Sequence, residues 1–190
     1  MDNSSGLRDA FVCALDMARD LPRSDTGMVG YGVLHLRDGD GATKLLLPFA
    51  NLITDTGDLY YAGKAIAAVT PAAPAAPTAL TGMQIGSGVT AASKSGAGAA
   101  IVTFLAGQAF DATFPSTANL GAGLGVNAQY KTTYAAGTGT GTVTEATLTN
   151  GAIGTASTAG NTIARVTFTA VTKASGDSLA VTWNNKFLGA

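Results

Sequence analysis

GDSLAVTWNNKF, Gly176 to Phe187, is the stretch whose reading decides the fold. From Ser178 onward, Leu179, Val181, Trp183 and Phe187 fall on one face of an extended chain, and Ser178, Ala180, Thr182, Asn184 and Lys186 on the other. A period of two marks a half-buried strand, and only Asn185 interrupts it. Ahead of it, Ala174-Ser175-Gly176-Asp177 supplies turn chemistry: glycine is free to take positive φ, while Asp and Ser bond their own backbone. The stretch predicts a strand entered through a turn.

Its first four letters also allow a second reading, because Gly-Asp-Ser-Leu is the signature of a large esterase and lipase family. The enzyme reading makes Ser178 a nucleophile, His35 its general base and Asp38, Asp40 or Asp177 the orienting acid, the three roles that serine esterases need. In that family, however, the serine lies near the start of the domain and an Asp-x-x-His block near its end. Here the order is inverted, no Asp-x-x-His occurs, and His35 is the only histidine. A motif without its structural context is a pattern match, so no catalytic residue is predicted.

Composition points the same way. A chain of 190 residues holds one sizeable domain, with or without an extension. Charged residues are 12% of it, about half of the roughly 25% found in ordinary soluble domains. Its surface must therefore be built from Thr, Ser, Asn, Gly and Ala, which suits faces covered by partners. A GC-rich genome would enrich Ala and Gly as well. The net charge of −1 supplies no field toward nucleic acid or an anionic membrane. The single cysteine, Cys13, can form neither an internal disulfide nor a Cys-x-x-Cys metal site. No apolar run is long enough for a membrane helix, and Asp2, Arg8, Asp9, Asp16, Arg19 and Asp20 stand where a signal peptide needs an apolar core. A soluble product made in the cytoplasm, without cofactor, metal, nucleic-acid or membrane partner, is the expectation.

Along the chain, Leu7, Phe11, Ala14, Leu15 and Ala18 recur at helical steps between Ser5 and Leu21, and Pro22 stops them. This amphipathic helix is too short to persist alone and needs a surface to lie on, its own domain's or a neighbour's, and Leu7, Phe11, Leu15 and Ala18 are the candidates for that docking. MVGYGVLHL at 28–36, the turn Arg37-Asp38-Gly39-Asp40-Gly41 and Thr43 to Leu47 predict a β-hairpin. Asp38-x-Asp40-Gly41 resembles the start of a calcium loop but lacks the further acidic ligands, so a plain turn is predicted. A helix capped by Thr54, Asp55 or Thr56 should run through Leu59, Tyr60, Ala62, Ile66 and Ala67. The Pro/Ala-rich connector 70–78 follows.

From Leu80 the chain is a succession of strands and Gly-Ser-Thr turns, including Val126 to Tyr134, Thr142 to Thr149, and Thr162 to Thr172 with Ala164, Val166, Phe168 and Ala170 on one face. Ala100 to Leu105 reads as a strand or a short helix. Asp111 and Glu145 stand as isolated carboxylates. The glycine-rich runs 121–125 and 137–141 lack a phosphate-binding pattern and predict hairpin loops. The expected fold is mainly β: an antiparallel β-sandwich, jelly-roll or Ig-like, at 51–190, preceded by a helix-and-hairpin extension at 1–50.

NLITDTGDLYYAGKAIA, MQIGSGVTAAS, AAGTGTGTVTEATLTNG and IARVTFTAVTKASGDSLAVTWNNKF, in this order, resemble small virion proteins of tailed bacteriophages. In those proteins a helix after Asn-Leu-Ile/Val-Thr leads into a strand ending Ile/Leu-Gly-x-Gly. A Thr-Glu-Ala strand and a closing strand pair with the turn Lys-x-x-x-Asp-x-Leu complete the series. The resemblance spans about residues 51–188 and implies a β-sandwich virion component with no catalytic residues. A decoration (cement) protein would sit as a homotrimer on the capsid exterior, bound to the major capsid protein; a tail-fibre or receptor-binding component is the alternative. The length, with no heptad or triple-helical shaft, favours decoration.

Overall fold

The computed structural model describes residues 27–66, 77–121 and 125–188. Among them nine strands form one antiparallel sheet: β1 (Gly27–Arg37), β2 (Thr43–Ile53), β3 (Gly82–Gly86), β4 (Phe104–Ala109), β5 (Ser116–Asn119), β6 (Val126–Tyr134), β7 (Gly141–Thr149), β8 (Thr162–Lys173) and β9 (Ser178–Leu188). The helix α1 (Asp55–Ile66) follows β2. The order across the sheet is β4-β3-β7-β8-β2-β1-β9-β6-β5.

β2 is the joint of this sheet. Its length from Thr43 to Asn51 pairs with β1, while Leu52 and Ile53 pair with Arg165 and Ala164 of β8. The sheet thereby divides into two leaves that curl toward each other. They meet again where the Tyr134 hydroxyl of β6 donates to the Met83 carbonyl of β3 at 2.8 Å, and where the Asp111 N–H donates to the Lys131 carbonyl at 2.8 Å. The fold is mainly β, antiparallel and sandwich-like, as the alternation predicts.

The core lies between the leaves. Leu179, Val181 and Trp183 are fully enclosed, as the reading of 176–187 requires. The Trp183 ring meets Phe49 edge-on at 5.2 Å, and Phe49 in turn stacks on Phe168 at 6.5 Å. Burying side chains of this size contributes roughly 1.5–3 kcal/mol each. Gly32 of β1 faces the same core, and its missing side chain leaves the room that Phe49 fills: a Cβ there would lie 2.3 Å from the ring.

Three expectations change. The hairpin is no extension, and the expected division at residue 50 falls inside β2. β1 pairs over its whole length with β9, from Gly27 opposite Leu188 to Arg37 opposite Ser178, so it sits in the middle of one leaf. The reason is burial: a lone hairpin is marginal in water, and Leu34, Leu36 and Phe49 find cover only inside the sandwich. Next, the face expected for β8 holds through Phe168, which packs on Phe49, but inverts beyond it. A register shift opposite Val143–Glu145 changes the phase, leaving Ala170 exposed and Val171 and Lys173 buried. Finally, Ala100 to Leu105 is neither one strand nor a helix: a 3-10 turn at Gly96–Ala99 ends before it, and β4 begins at Phe104. The expected helix at Ser5–Leu21 and the connector up to residue 76 lie outside the described residues.

α1 begins where predicted. Thr54 caps it, its Oγ1 accepting the Gly57 N–H at 2.9 Å, and the helix seats against β8. Gly57 makes that seat possible, because a Cβ there would stand 2.1 Å from the Ile163 carbonyl oxygen. Ala for Gly inside a helix ordinarily stabilises by about 0.5–1 kcal/mol. Here the sign should reverse: Gly57→Ala must lift α1 from β8 and destabilise by about 1–3 kcal/mol, as overpacking does. Urea denaturation of the variant measures this, and a stabilised variant would show that α1 does not rest on Ile163.

Candidate functional site

The Gly-Asp-Ser-Leu turn is where the enzyme reading and the strand reading meet. Asp177 Oδ2 accepts the Ala174 N–H at 2.9 Å and Lys44 Nζ at 2.8 Å. Lys173, enclosed at the end of β8, donates to the carbonyls of Asp177 at 2.6 Å and Ala135 at 3.0 Å. Burial pulls its ammonium below the ordinary lysine value, opposed by the nearby Asp177 charge. Asp177 and Lys173 thus tie the closing turn to β2 and to the loop after β6, and Leu179 then enters the core.

His35 lies on the outer face of β1, opposite Ala180, while Ser178 lies opposite Arg37. Its Nε2 accepts from Arg37 Nε at 3.2 Å and stands 2.8 Å from Thr43 Oγ1. Burial, then the charges of Arg37 and Lys131, hold the imidazole below its ordinary pKa, so it is neutral. No hydrogen bond joins Ser178 to His35, or His35 to Asp38, Asp40 or Asp177. A general base needs a free lone pair facing its nucleophile, and the Nε2 lone pair of His35 points at other partners. Asp38 Oδ1 accepts the N–H groups of Asp40 at 3.0 Å and Ala42 at 2.8 Å, closing the hairpin turn.

The lowered pKa of Asp177 has a testable consequence. The hydrogen bond from Lys44 is its largest cause, followed by the Ala174 N–H, and burial opposes both. A depressed folded pKa contributes stability that is present above the unfolded value, near 3.8, and is lost as pH falls through the lower folded value. Asp177→Asn should therefore be less stable than the wild type near neutral pH, with the gap closing in strong acid. Denaturation midpoints across that range measure it, and a gap unchanged by pH would contradict the assignment.

Glu145, expected as an isolated carboxylate, is the centre of a buried cluster. Its Oε2 meets Arg165 Nη2 at 2.8 Å, with both side chains fully enclosed. Its Oε1 accepts the N–H groups of Gly88 at 2.9 Å and Thr103 at 2.8 Å, and Val102 N–H lies 3.1 Å from both oxygens. Arg165 Nη1 donates to the Gly98 carbonyl at 3.0 Å. These bonds clamp the 87–103 segment over the back of the β7-β8 leaf. Gln84 does the same for the 151–157 loop, its Nε2 donating to the Thr155 carbonyl at 2.7 Å and its Oε1 accepting the Ser157 N–H at 2.8 Å. With every carboxylate oxygen occupied, Glu145 is built to hold loops.

On the back of the other leaf the 110–115 loop reaches Lys131 and Thr133 through Asp111. Tyr31, Val33, Leu46, Pro48 and Ala180 lie half-buried there. Beside them Asn184 Oδ1 accepts from Asn127 Nδ2 at 2.8 Å and Gln129 Nε2 at 3.0 Å. The docking candidates Leu7, Phe11, Leu15 and Ala18 lie outside the described residues. Among the described residues no cluster of three His, Cys, Asp or Glu side chains could hold a metal, and no helix is long and apolar enough to cross a membrane. No family model matches this chain, and no curated protein or solved structure matches it either.

Proposed function

We propose that this chain is a non-enzymatic structural protein of a tailed-bacteriophage virion. It is a decoration protein that binds the outside of the shell as a homotrimer and bridges neighbouring copies of the major capsid protein. One observation carries the reading: the four segments that resemble such virion proteins coincide with the joints of this scaffold. Asn51-Leu52-Ile53-Thr54 ends β2 at the sheet's division and caps α1. Ile85-Gly86-Ser87-Gly88 presents the Gly88 N–H to Glu145 of Thr144-Glu145-Ala146. Lys173 and Asp177 lock the turn before Leu179. A rigid scaffold with few charged residues suits a protein whose faces are covered by partners, and a specific interface of that kind needs about 1,000 Å² or more.

The test is sedimentation of the purified protein with shells assembled from the major capsid protein of the same phage. Co-sedimentation, with shells that resist higher temperatures, is the expected result; failure to bind shells, or binding to tails instead, overturns the proposal. Activated esters provide the second arm. No turnover is expected, and turnover abolished by Ser178→Ala would replace this reading with an esterase.

A further inference from the structure

We infer that copies of this chain meet through the bulged back of the β7-β8 leaf, with Val89 of one copy seated in the groove that Thr144, Thr167, Phe168 and Ala170 line on the next. The number of copies, three, comes from the decoration reading; the surface is read from the fold itself.

The first support is a rigid apolar knob. Val89 is 83% exposed and Val102 44%. A Cβ on Gly88 would stand 2.6 Å from that of Val102, so the two valines are neighbours on one surface. Their backbone is held fast: the Gly88 and Val102 N–H groups both go to the Glu145 carboxylate, the Ser87 N–H donates to the Thr103 carbonyl at 2.8 Å, and the Thr144 hydroxyl donates to the Gly88 carbonyl at 2.8 Å. An anchor that is already ordered loses little entropy on docking.

The second is a groove beside the knob. Val143 pairs with Val171 and Glu145 with Thr167, so Thr144 alone stands opposite Phe168, Thr169 and Ala170. A bulge of this kind parts the ladder and bends the strand, and the groove lined by Thr144, Thr167, Phe168 and Ala170 opens at the same place. Knob and groove lie on one face but are different residues. Each copy can therefore give its Val89 to one neighbour and receive one from another, the head-to-tail contact that closes into a ring.

Charge selects a second copy as the occupant. A surface that meets its own copy meets its own charges, and like charges across an interface repel. β3, β4, β7 and β8 with the 87–103 and 151–157 segments contain four charged residues: Glu145 and Arg165 are enclosed and paired, Lys173 is enclosed, and Lys94 is bound to Asp58 of α1. The groove is thus free of unpaired charge, and exposed Thr90, Thr103 and Thr169 surround it. An apolar centre with an uncharged polar rim is the ordinary anatomy of a protein interface. The back of the other leaf presents Arg37, Lys131 and Lys186 with one nearby carboxylate, Asp111, and its own copy would be repelled.

Sedimentation velocity of the purified chain tests the contact. The wild type should run as a trimer at micromolar concentration. Val89→Asp changes a side chain that stands mostly in water in the single chain; it should keep the wild-type near-UV circular dichroism yet weaken association by more than about tenfold. Val89→Leu should still assemble, and so should Arg37→Ser on the other leaf. A wild type that stays monomeric at high micromolar concentration, or pairs as a two-fold dimer, overturns the inference, and so does a trimer that Val89→Asp leaves intact. Should Val89→Asp not fold, Ala170→Arg on the exposed lip of the groove takes its place with the same two outcomes. Shell co-sedimentation is read separately: a trimer that Val89→Asp breaks but that no shell takes up would defeat the decoration reading and leave the contact between copies standing.

Discussion

Arg165→Met should destabilise the protein by about 3–5 kcal/mol, the cost of stripping one partner from a buried ion pair. The Glu145 carboxylate and the Arg165 guanidinium are both fully enclosed and 2.8 Å apart. Without the guanidinium, a buried charge is left with only the N–H groups of Gly88, Val102 and Thr103, and the Gly98 carbonyl loses its donor. Many buried pairs can be exchanged for apolar residues at little cost. This one should resist the exchange: Glu145→Met with Arg165→Met leaves those N–H groups without an acceptor, each costing about 1–3 kcal/mol if it stays buried. Urea denaturation of the single and double variants measures both effects. A single variant within about 1 kcal/mol of the wild type would place the pair in the class of surface salt bridges.

Trp183→Ala should cost about 3–5 kcal/mol, the range for deleting a large buried aromatic. Trp183 is fully enclosed between the leaves and touches the Phe49 ring, which packs on Phe168 of the opposite leaf. Its removal therefore opens a cavity at the joint where β2 passes from one leaf to the other. Near-UV circular dichroism should lose the aromatic signal along with stability. An unchanged melting temperature would place Trp183 at the surface.

These two residues mark the limits of what the sequence discloses. Trp183 was legible because strand periodicity is local: Leu179, Val181 and Trp183 alternate within one segment, and the pattern names the inner face without knowledge of any partner. Asn185, which interrupts that pattern, nevertheless points inward, where its Nδ2 donates to the Tyr61 hydroxyl of α1 at 2.5 Å. The ion pair was illegible for the opposite reason. Arg165 interrupts a run of strand residues, and the groups that satisfy Glu145 come from residues 88, 102, 103 and 165, which only the folded chain assembles. Nor does β7 show its alternation, being buried on both faces by loops clamped across its back.

The place of the hairpin was hidden likewise. The turn at Asp38 is local chemistry and could be predicted, but the pairing of residues 27–37 with 178–188 is set by burial across the whole chain. At the closing turn, the spacing of Lys173, Asp177 and Leu179 was visible as part of a resemblance, and the structure supplies its physical meaning in the two carbonyls that Lys173 bonds. Ser178 gains no partner from that turn, so four letters that suggest chemistry describe a strand entrance.

The virion assignment is a proposal, and cryo-electron microscopy of phage particles assembled in cells that express this chain tests it most directly. The prediction is density of this fold on the outer surface of the shell, with three copies grouped where capsomers meet. Density at the tail tip, or particles that lack the protein altogether, would contradict it.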